Sequence, residues 1–572
     1  MSYLSDASLV MIPSGVEAGT VFTSKPAGGS ADLTFTRSND TATRVGPNGY
    51  IEKVRTNAVL HSEDQSNAAY NVIKQNITSI TSESNPLTGT NNAYKVLCNG
   101  SDDPYVGQQV YGLSNGQNTF SCWLWTDSGE STEASLFFYN AATTEVFFET
   151  LTITTTPTRY SIIADFTSIG ALAVCRIDLR NASGSPTYLY TYGWQAEVGD
   201  TATDYIPTTT AAVSVGPVAN VPRINFDPVL PRTGSLLLEP QRTNTLAYSE
   251  YFGAWSLSGG TLTANAEVSP QGVENAYLYT EDTSTNYHRI NTGASASSSN
   301  KVYSVYAKWA GGTANRWFTI DNGPTAWFDI VNGVVGGAQG SVVTSIEDCG
   351  NGWYRCIYHN PTSTTGGIYL GIASSDGGSG NHVGNGQPAF YIYGAQCEDN
   401  VTYATSYIPT YGATATRGAD TASKTGISSV IGQTEGTLFY DFVWSGAISA
   451  TADYPIVLSG SDFNNFVGLN TTFNSNQLLA YSGGSIVAAI AGGDFVVGQR
   501  YKIALAYKAN DFVYYLNGTL QGSDTSGAVP IGLANLEMVT PFGAKSTAQN
   551  ATSILIFPTR LTNDQLSQIT TL

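Results

Sequence analysis

The chain has 572 residues with 25 Lys or Arg and 44 Asp or Glu, which gives a formal net charge of -19. This balance argues against a nucleic-acid partner and against an anionic membrane surface, because both need clustered basic side chains and no basic run occurs. Only 12% of the residues are charged while Gly (59) and Tyr (34) are plentiful, which indicates a polar surface suited to hydroxyl and amide contacts.

The first segment, residues 1–57, is rich in Gly, Ser, Thr and Asn and has too few apolar residues for a core of its own. A segment of this kind gains order by lying on a partner, so we expect an anchor or adaptor. Residues 1–24 contain no Lys or Arg and their short apolar run ends at Pro13, so no secretory signal is predicted. No run of about 18 apolar residues follows, so no membrane span is predicted.

Two phrases of sequence bracket one stretch of the chain and then recur to bracket the next. The opening phrase includes Arg55–Asn57 and returns as Arg242–Asn244. The closing phrase, Gln-x-Glu followed by Tyr-Ile-Pro-Thr, ends at 205–208 and again at 407–410. Opening and closing phrases stand about 150 to 165 residues apart, which is the size of one compact domain. The sequence therefore predicts an array of similar modules rather than a short-period solenoid.

The first module, residues 58–208, consists of short alternating runs. Residues 120–125 alternate with period two, and the apolar runs at 136–139 and 145–148 are joined by a short polar stretch, which predicts a hairpin. Strands this short, separated by Gly, Asn and Pro, are typical of a sandwich or jelly roll.

The second module, residues 245–417, is joined to the first by residues 209–244. This joining segment contains Pro at five positions, which favours an extended and fairly stiff connector. Within the second module an alternating run at 302–307 matches the first module, and a Gly-Asn-Gly turn at 350–352 separates two further strands.

The last module, residues 418–572, is also β-rich but has a different sequence. Asn517-Gly518 follows an apolar run and is a strong hairpin signal. Near the end, Thr562 and Gln565 form a capping box that predicts one of the few helices. We therefore predict an all-β chain, an array of antiparallel β-sandwich (jelly-roll) modules with an extended N-terminal anchor.

The sequence offers little for catalysis. Its four histidines are far apart, and it contains no metalloprotease, nucleophile-elbow, P-loop or dinucleotide motif. The adjacent acids Glu347-Asp348 and Glu281-Asp282 would point to opposite faces of a strand, so we expect them in solvated loops. We predict a protein that is not an enzyme, and we assign no catalytic, cofactor-binding, metal-binding or carbohydrate-binding residue.

Tryptophans and cysteines are the remaining candidates for function. Trp353 and Trp255 could stack on a sugar ring, although packing in the core is the favoured interpretation. The six cysteines form no CxxC pair and no zinc-ligand spacing. Cys349 and Cys356 could pair across a hairpin, but partly buried thiols are the favoured interpretation because nothing else indicates an oxidising compartment.

Several phrases resemble those of the fibre and spike proteins of tailed bacteriophages, including crAss-like phages. They are the runs 35–57 and 236–244 and the closing phrases of both modules. The stretch Asp-Cys-Gly-Asn-Gly-Trp-Tyr-Arg at 348–355 is similar to a phrase shared by the carbohydrate-binding-module-like jelly rolls of that family. The first module lacks this phrase, and Thr158-Arg159-Tyr160 stands in its place. The last module resembles a concanavalin A-like or laminin-G-like domain.

The resemblance implies a structural fibre protein on the virion surface, assembled in the host bacterial cytoplasm. It implies a homotrimer that is attached to a head or tail protein through residues 1–57 and that presents modules for a host cell-surface glycan. No cofactor is implied. The sequence leaves open whether any of the sandwiches binds a structural calcium ion. One alternative is a polysaccharide-degrading tail spike, which needs a carboxylate pair and a β-helix repeat. The other is a bacterial surface adhesin, which needs a signal peptide.

Overall fold

The computed structural model describes residues 3–572 apart from positions 14, 102, 128–131, 144, 168–171, 180–187, 230–233, 293–299, 313–316, 363–366, 448–451, 473 and 539–546. The predicted all-β architecture is confirmed, because strands form three antiparallel sandwiches. The α-helices in these ranges are Tyr3–Asp6 (α1) and Asn563–Thr570 (α2), and short 3-10 turns cover Ala68–Tyr70 and Phe252–Ala254. Neither helix is long and apolar enough to cross a membrane.

The first sandwich consists of two five-stranded sheets over one apolar core. Strands that precede it are β1 (Leu9–Met11), β2 (Val16–Glu17), β3 (Thr20–Val21), β4 (Leu33–Thr36), β5 (Thr43–Val45), β6 (Ile51–Lys53) and β7 (Arg55–Asn57). Its own strands are β8 (Ile73–Gln75), β9 (Ile77–Glu83), β10 (Ala93–Cys98), β11 (Tyr105–Val110), β12 (Gly116–Trp125), β13 (Thr132–Asn140), β14 (Val146–Ile153), β15 (Thr158–Phe166), β16 (Ala173–Asp178) and β17 (Tyr188–Val198). The sheet orders are β15-β12-β17-β10-β9 and β14-β13-β16-β11-β8. The predicted hairpin is confirmed as β13–β14, with Phe137 opposite Phe148.

The second sandwich consists of two six-stranded sheets. The segment before it contains β18 (Val213–Val215), β19 (Arg223–Asn225), β20 (Ser235–Leu238) and β21 (Arg242–Asn244). Its own strands are β22 (Ser256–Ser258), β23 (Gly260–Val268), β24 (Glu274–Glu281), β25 (Thr285–Tyr287), β26 (Arg289–Asn291), β27 (Lys301–Trp309), β28 (Trp317–Asp321), β29 (Thr325–Asp329), β30 (Val334–Ala338), β31 (Val343–Asp348), β32 (Tyr354–Asn360), β33 (Tyr369–Ala373), β34 (Asn381–Val383) and β35 (Pro388–Asp399). The sheet orders are β22-β26-β33-β28-β29-β30 and β23-β24-β35-β27-β32-β31, and β25 pairs with β34 alone.

The C-terminal sandwich is the largest of the three. After β36 (Ala415–Arg417), its strands are β37 (Thr421–Lys424), β38 (Glu435–Ala447), β39 (Asp453–Ser459), β40 (Phe466–Thr472), β41 (Ser475–Ser482), β42 (Ser485–Asp494), β43 (Arg500–Lys508), β44 (Asp511–Leu516), β45 (Thr519–Asp524), β46 (Asn535–Glu537) and β47 (Thr547–Phe557). Asn517 and Gly518 both have positive φ at the β44–β45 turn, and Thr562 and Gln565 form the reciprocal capping box of α2. Both local predictions are therefore confirmed.

Strands of the N-terminal segment belong to the C-terminal sandwich, and the predicted role of this segment as an anchor stays a prediction. Strand β1 pairs with β47, with Leu9 opposite Ile556, and β4 pairs with β37, with Phe35 opposite Ala422. Leu9 and Phe35 are at most 1% exposed in the core of the C-terminal sandwich. The segment has too few apolar residues for a core of its own, and it completes the core of a sandwich more than 350 residues away in the same chain.

The proline-containing segment 209–244 differs from the stiff, extended connector that was predicted. Strands β19 and β20 form a hairpin, and β20 pairs with β47, with Leu237 opposite Asn550. The prolines flank these strands rather than interrupt them, which is where the missing N–H group does not disturb a ladder. Part of this segment is therefore an edge of the C-terminal sandwich.

The repeated opening phrase joins the beginning of each sandwich to its end. Asn57 has no exposed surface, and its amide donates hydrogen bonds to the carbonyl oxygens of Trp194 (2.9 Å) and Ile206 (2.8 Å). Asn244 makes the equivalent contacts in the second sandwich. The repetition in sequence therefore reflects a repeated closure of the fold, because the same buried backbone groups need the same partner each time.

The structure confirms that Arg159 takes the place of Arg355 in the first sandwich. Arg159 donates to the carbonyl oxygen of Thr203 (2.5 Å) and to a serine hydroxyl (3.0 Å). Arg355 donates to the carbonyl oxygen of Thr405 (2.7 Å) and to a serine hydroxyl (2.9 Å). These arginines hold the closing segments in place, so the shared phrase has a structural role.

A buried group of charges joins the N-terminal segment, the connector and the C-terminal sandwich. Arg37 contacts Asp420 at 3.2 Å, Arg223 contacts both Asp420 and Glu239, and Arg417 contacts Glu239 at 3.0 Å. All five side chains are at most 3% exposed. Each of the two acids contacts two arginines, so removal of either acid would leave buried positive charge without compensation, and these contacts fix the segments relative to one another.

A second buried ion pair lies between the first and second sandwiches. Nζ of Lys53 is 2.7 Å from a carboxylate oxygen of Glu250, and both side chains are at most 6% exposed. Burial and the negative charge of Glu250 together raise the pKa of Asp200 to about 6. Asp200 lies in the closing turn of the first sandwich, so this junction has a carboxyl group that titrates near neutral pH.

Candidate functional site

The tryptophans considered from sequence are core residues. Trp353 is 1% exposed and its indole N–H donates to the carbonyl oxygen of Val268 at 2.9 Å. Trp255 is 7% exposed and donates to the carbonyl oxygen of Tyr248 at 3.1 Å. The core interpretation is confirmed for both, so neither ring is a stacking surface for a ligand.

The cysteines and the adjacent acids form no reactive centre. All six cysteines are free, and burial raises the pKa of the Cys349 thiol to about 12. The expectation of solvated loops fails for Glu347, which is exposed but lies within β31, and for Glu281, which is buried at the end of β24. Among the described residues, no group of three or more His, Cys, Asp or Glu side chains is placed to hold a metal ion.

A groove lies on the outer face of the sheet β22-β26-β33-β28-β29-β30 in the second sandwich. Every second residue of these strands points into the core: Ile290, Leu370, Ile320 and Ala326 are fully buried there. Their neighbours form one row across four strands on the opposite face: Arg289, Gly371, Thr319 and Trp327. A second row is Tyr369, Asp321 and Thr325. Both rows line a cavity of about 320 Å³.

A glycine-rich loop, residues 374–380, forms one rim of the groove. The indole N–H of Trp327 donates to the carbonyl oxygen of Gly378 at 3.0 Å, and the carboxylate of Asp376 accepts the N–H of Gly337 at 2.7 Å. These two bonds hold the loop against the sheet. Because the loop lacks bulky side chains at Gly377 and Gly378, it lines the cavity without filling it.

The guanidinium group of Arg289 lies against two tyrosine rings. Its central carbon is 3.9 Å from the ring centre of Tyr369 and 4.3 Å from that of Tyr287, a side chain that is 41% exposed. Cation–π attraction of this kind fixes the plane of the group without using its N–H donors. The guanidinium group of Arg289 makes no hydrogen bond or ion pair with any part of the chain that the structure describes. Its N–H groups are therefore available to a ligand.

The remaining polar groups of the groove supply acceptors and hydroxyls. Burial raises the pKa of Asp321, while the N–H of Gly323, which donates at 2.9 Å, and the charge of Arg289 act in the opposite direction. Thr319 and Thr325 add hydroxyl groups that can donate or accept. Rings and hydrogen-bonding groups that converge on one open groove suit recognition of a ligand rich in hydroxyls.

A larger cavity, of about 590 Å³, lies between the second and C-terminal sandwiches. Charged side chains that line it already have partners: Arg44 contacts Glu52 at 2.7 Å and Arg500 contacts Asp441 at 2.6 Å. It is a cleft between packed domains, and the groove on the second sandwich is the better candidate site.

The corresponding sheet of the first sandwich carries a related arrangement. Arg176 on β16 lies opposite Gly107 on β11, so its strand corresponds to β33, which carries Gly371, and not to β26, which carries Arg289. The guanidinium carbon of Arg176 is 4.4 Å from the ring centre of Phe137. Arg176 differs because it forms an ion pair with Asp178 at 3.0 Å. The arginine of the first sandwich is therefore neutralised within the fold.

The sequence analysis missed every residue of the groove. The lining residues are spread over strands between 287 and 380 and share no motif. The only signal available was alternation: β28 and β33 place Thr319, Asp321 and Tyr369 at positions that alternate with apolar residues. Such a pattern predicts which face is outside but not which outer residues converge.

No protein-family model matches the chain, and no curated protein matches it. Solved structures match over about one quarter of the chain. The botulinum neurotoxin serotype D binding domain has 9% identity and a TM-score of 0.23, over 26% of this chain and 39% of that one. The CBM40 of Ruminococcus gnavus IT-sialidase, bound to α2,6-sialyllactose, has 15% identity and a TM-score of 0.21, over 26% and 97%. Domain 4 of an arabinanase from Geobacillus stearothermophilus, in complex with arabinotriose, has 13% identity and a TM-score of 0.21, over 27% and 77%.

These neighbours are carbohydrate-binding or receptor-binding β-sandwich domains. The chain spans about two fifths of the length of the neurotoxin domain that it matches. At TM-scores this low the likeness carries no argument about function, which therefore has to come from the groove.

Proposed function

We propose that this chain is a non-enzymatic structural fibre protein of a bacteriophage virion and that its second sandwich binds a host-surface glycan. The observation that carries the glycan-binding role is the groove, where tyrosine rings, an unpaired arginine, a carboxyl group and threonine hydroxyls converge. The fibre role is supported by the resemblance of the repeated phrases to phage fibre and spike proteins.

The groove has the two kinds of group that a sugar needs. The exposed ring of Tyr287 offers an apolar face for the C–H groups of a pyranose, and the polar side chains offer partners for its hydroxyls. The groove also lacks an arrangement for hydrolysis among its described residues, since Asp321 and the rim acid Asp376 are each bound to a backbone N–H. We therefore propose binding without cleavage.

Assembly as a homotrimer would place three copies of the groove on one particle. Linked sites bind with a raised effective concentration, so even a weak single site becomes useful for adhesion. Attachment to a virion head or tail protein through residues 1–57 would use a face of the C-terminal sandwich, because β1–β4 belong to that sandwich. This arrangement keeps the second sandwich available to the host.

Glycan binding is tested by Tyr369→Ala on a panel of bacterial surface polysaccharides and oligosaccharides. We expect the wild-type chain to bind at least one glycan and the variant to lose about tenfold or more in affinity, since the ring both lines the groove and supports Arg289. Tyr111→Ala is the matched control, because Tyr111 is a tyrosine of the first sandwich that is 58% exposed. Equal loss in both variants, or no binding by the wild type, would contradict the proposal.

The fibre role is tested separately by native mass spectrometry and by electron cryo-microscopy of virions. We expect a trimer, with the C-terminal sandwich nearest the particle. A monomer that cleaves a polysaccharide would replace the proposal with the alternative of a degrading spike.

A further inference from the structure

We propose that the groove recognises a sugar that bears a carboxylate, and that Arg289 binds this carboxylate. The inference deepens the proposed glycan-binding function and rests on it. It is carried by the position, the planarity and the unpaired state of one guanidinium group in the groove.

The guanidinium of Arg289 is arranged for a planar anion. Its central carbon lies 4.3 Å from the ring centre of Tyr287 and 3.9 Å from that of Tyr369, so the rings support the group while the N–H donors at its edge remain for a ligand. That edge carries the paired N–H groups whose geometry matches the two oxygens of a carboxylate. A neutral sugar would use single hydrogen bonds and would not need the charge.

Arg289 and Asp321 are the arginine and the acid of the groove lining. The carboxylate of Asp321 accepts the N–H of Gly323 at 2.9 Å. Its position beside the arginine allows it to hold a sugar hydroxyl while Arg289 holds the carboxylate.

The first sandwich provides an internal comparison. Arg176 also lies on aromatic rings, but Asp178, which is 1% exposed, neutralises it at 3.0 Å. Arg176 therefore has a carboxylate partner, whereas the guanidinium group of Arg289 has no ion-pair partner among the described residues. This difference places the binding site for the carboxylate of the sugar on the second sandwich and not on the first.

The experiment is isothermal titration calorimetry of the full chain with pairs of probes in which one member carries carboxylates and the other does not. α2,6-Sialyllactose is compared with lactose, and trigalacturonic acid with its methyl ester, so that the two pairs separate a nonulosonic from a uronic acid as the source of the carboxylate. We expect the acidic member of at least one pair to bind about ten- to a hundredfold more tightly than the neutral member, as for hydrogen bonds to charged groups. Sulfated lactose is included because tighter binding of a sulfate than of either carboxylate would overturn the assignment.

Variants then connect the charge preference to one residue. We expect Arg289→Gln to remove the preference for the acidic probe, so that the acidic and the neutral member of a pair bind within about twofold of each other, since the uncharged amide offers only single hydrogen bonds to either probe. Arg289→Lys keeps the positive charge but lacks the paired N–H donors of a guanidinium group, so it should retain part of the preference for the acidic probe. Lys95→Gln is the matched control, because Lys95 stacks on Tyr188 at 3.8 Å in the first sandwich, away from the groove.

The possible failures are distinguishable. If neutral and acidic probes bind equally well, or if Arg289→Gln keeps the preference, the carboxylate assignment is wrong while the glycan-binding role stands. If no probe and no surface polysaccharide binds the wild type, the proposed function itself is wrong.

Discussion

Replacement of Asn244 by Ala is predicted to weaken the closure of the second sandwich. The side chain has no exposed surface and makes four hydrogen bonds. It donates to the carbonyl oxygens of Ala395 (3.2 Å) and Ile408 (2.8 Å), and it accepts the N–H groups of Leu246 (3.1 Å) and Cys397 (3.0 Å). Asn244→Ala therefore leaves four backbone groups without their partner.

The size of the effect follows from these four groups. A buried polar group that loses its partner costs about 1 to 3 kcal/mol, and water that enters the vacated space brings each cost toward the lower value. We therefore expect a loss of about 4 kcal/mol in the free energy of unfolding of the second sandwich, or a fall of about 10 °C in its melting temperature. The neighbouring substitution Thr243→Val removes one hydroxyl contact, to Thr416 at 2.8 Å, and should cost about 1 kcal/mol or less.

Calorimetry of the full chain, with hydrogen exchange to assign each transition to a sandwich, measures both variants. Asn244→Ala should lower the transition of the second sandwich and expose residues 395–408 to exchange. Asn57→Ala should do the same to the first sandwich only, because Asn57 makes the equivalent contacts there. If Asn244→Ala costs no more than Thr243→Val, the repeated phrases do not close the sandwiches.

Three further predictions concern the junctions. In the folded protein the pKa of Asp200 is about 6, above its ordinary value of 3.8, so its contribution to stability is full below about pH 4 and is lost as the pH rises through 6. Urea unfolding should show Asp200→Asn more stable than the wild type by about 2 to 3 kcal/mol at pH 8 and equally stable near pH 4. Arg417→Met should cost about 3 kcal/mol or more by the same assay, because Glu239 loses one of its two arginines and the carbonyl oxygen of Pro240 loses its donor, whereas Lys508→Met, at an exposed pair with Glu435, should cost about 1 kcal/mol or less. Deletion of residues 1–36 should make the C-terminal sandwich aggregate or unfold on size-exclusion chromatography, because it removes β1–β4; a folded, soluble product would contradict the observed pairing.

The local features of the fold were predictable because their causes lie within a few residues. The turn at Asn517-Gly518 needs two residues with positive φ, and the cap at Thr562 needs a partner three residues later. The repeated phrases predicted two similar modules because each contains the asparagine that closes a sandwich. Pairing of Leu9 with Ile556 was not predictable, since no local signal records a contact between the two ends of the chain.

The groove was not predictable from sequence for a related reason. Trp353 and Trp327 are both buried, yet one packs in a cluster with Ile51 and Tyr407 and the other holds the rim of the groove. Tyr287, Arg289 and Tyr369 come together only because the register of β26 and β33 places them in adjacent rows. Composition indicated a polar, tyrosine-rich surface, but the position of the site depends on the pairing of strands.

A crystal structure of the chain with a bound acidic oligosaccharide tests the account most directly. We predict the sugar in the groove of the second sandwich, against Tyr369 and with its carboxylate on Arg289. A sugar bound in the cleft between the second and C-terminal sandwiches, or on the first sandwich alone, would contradict the account.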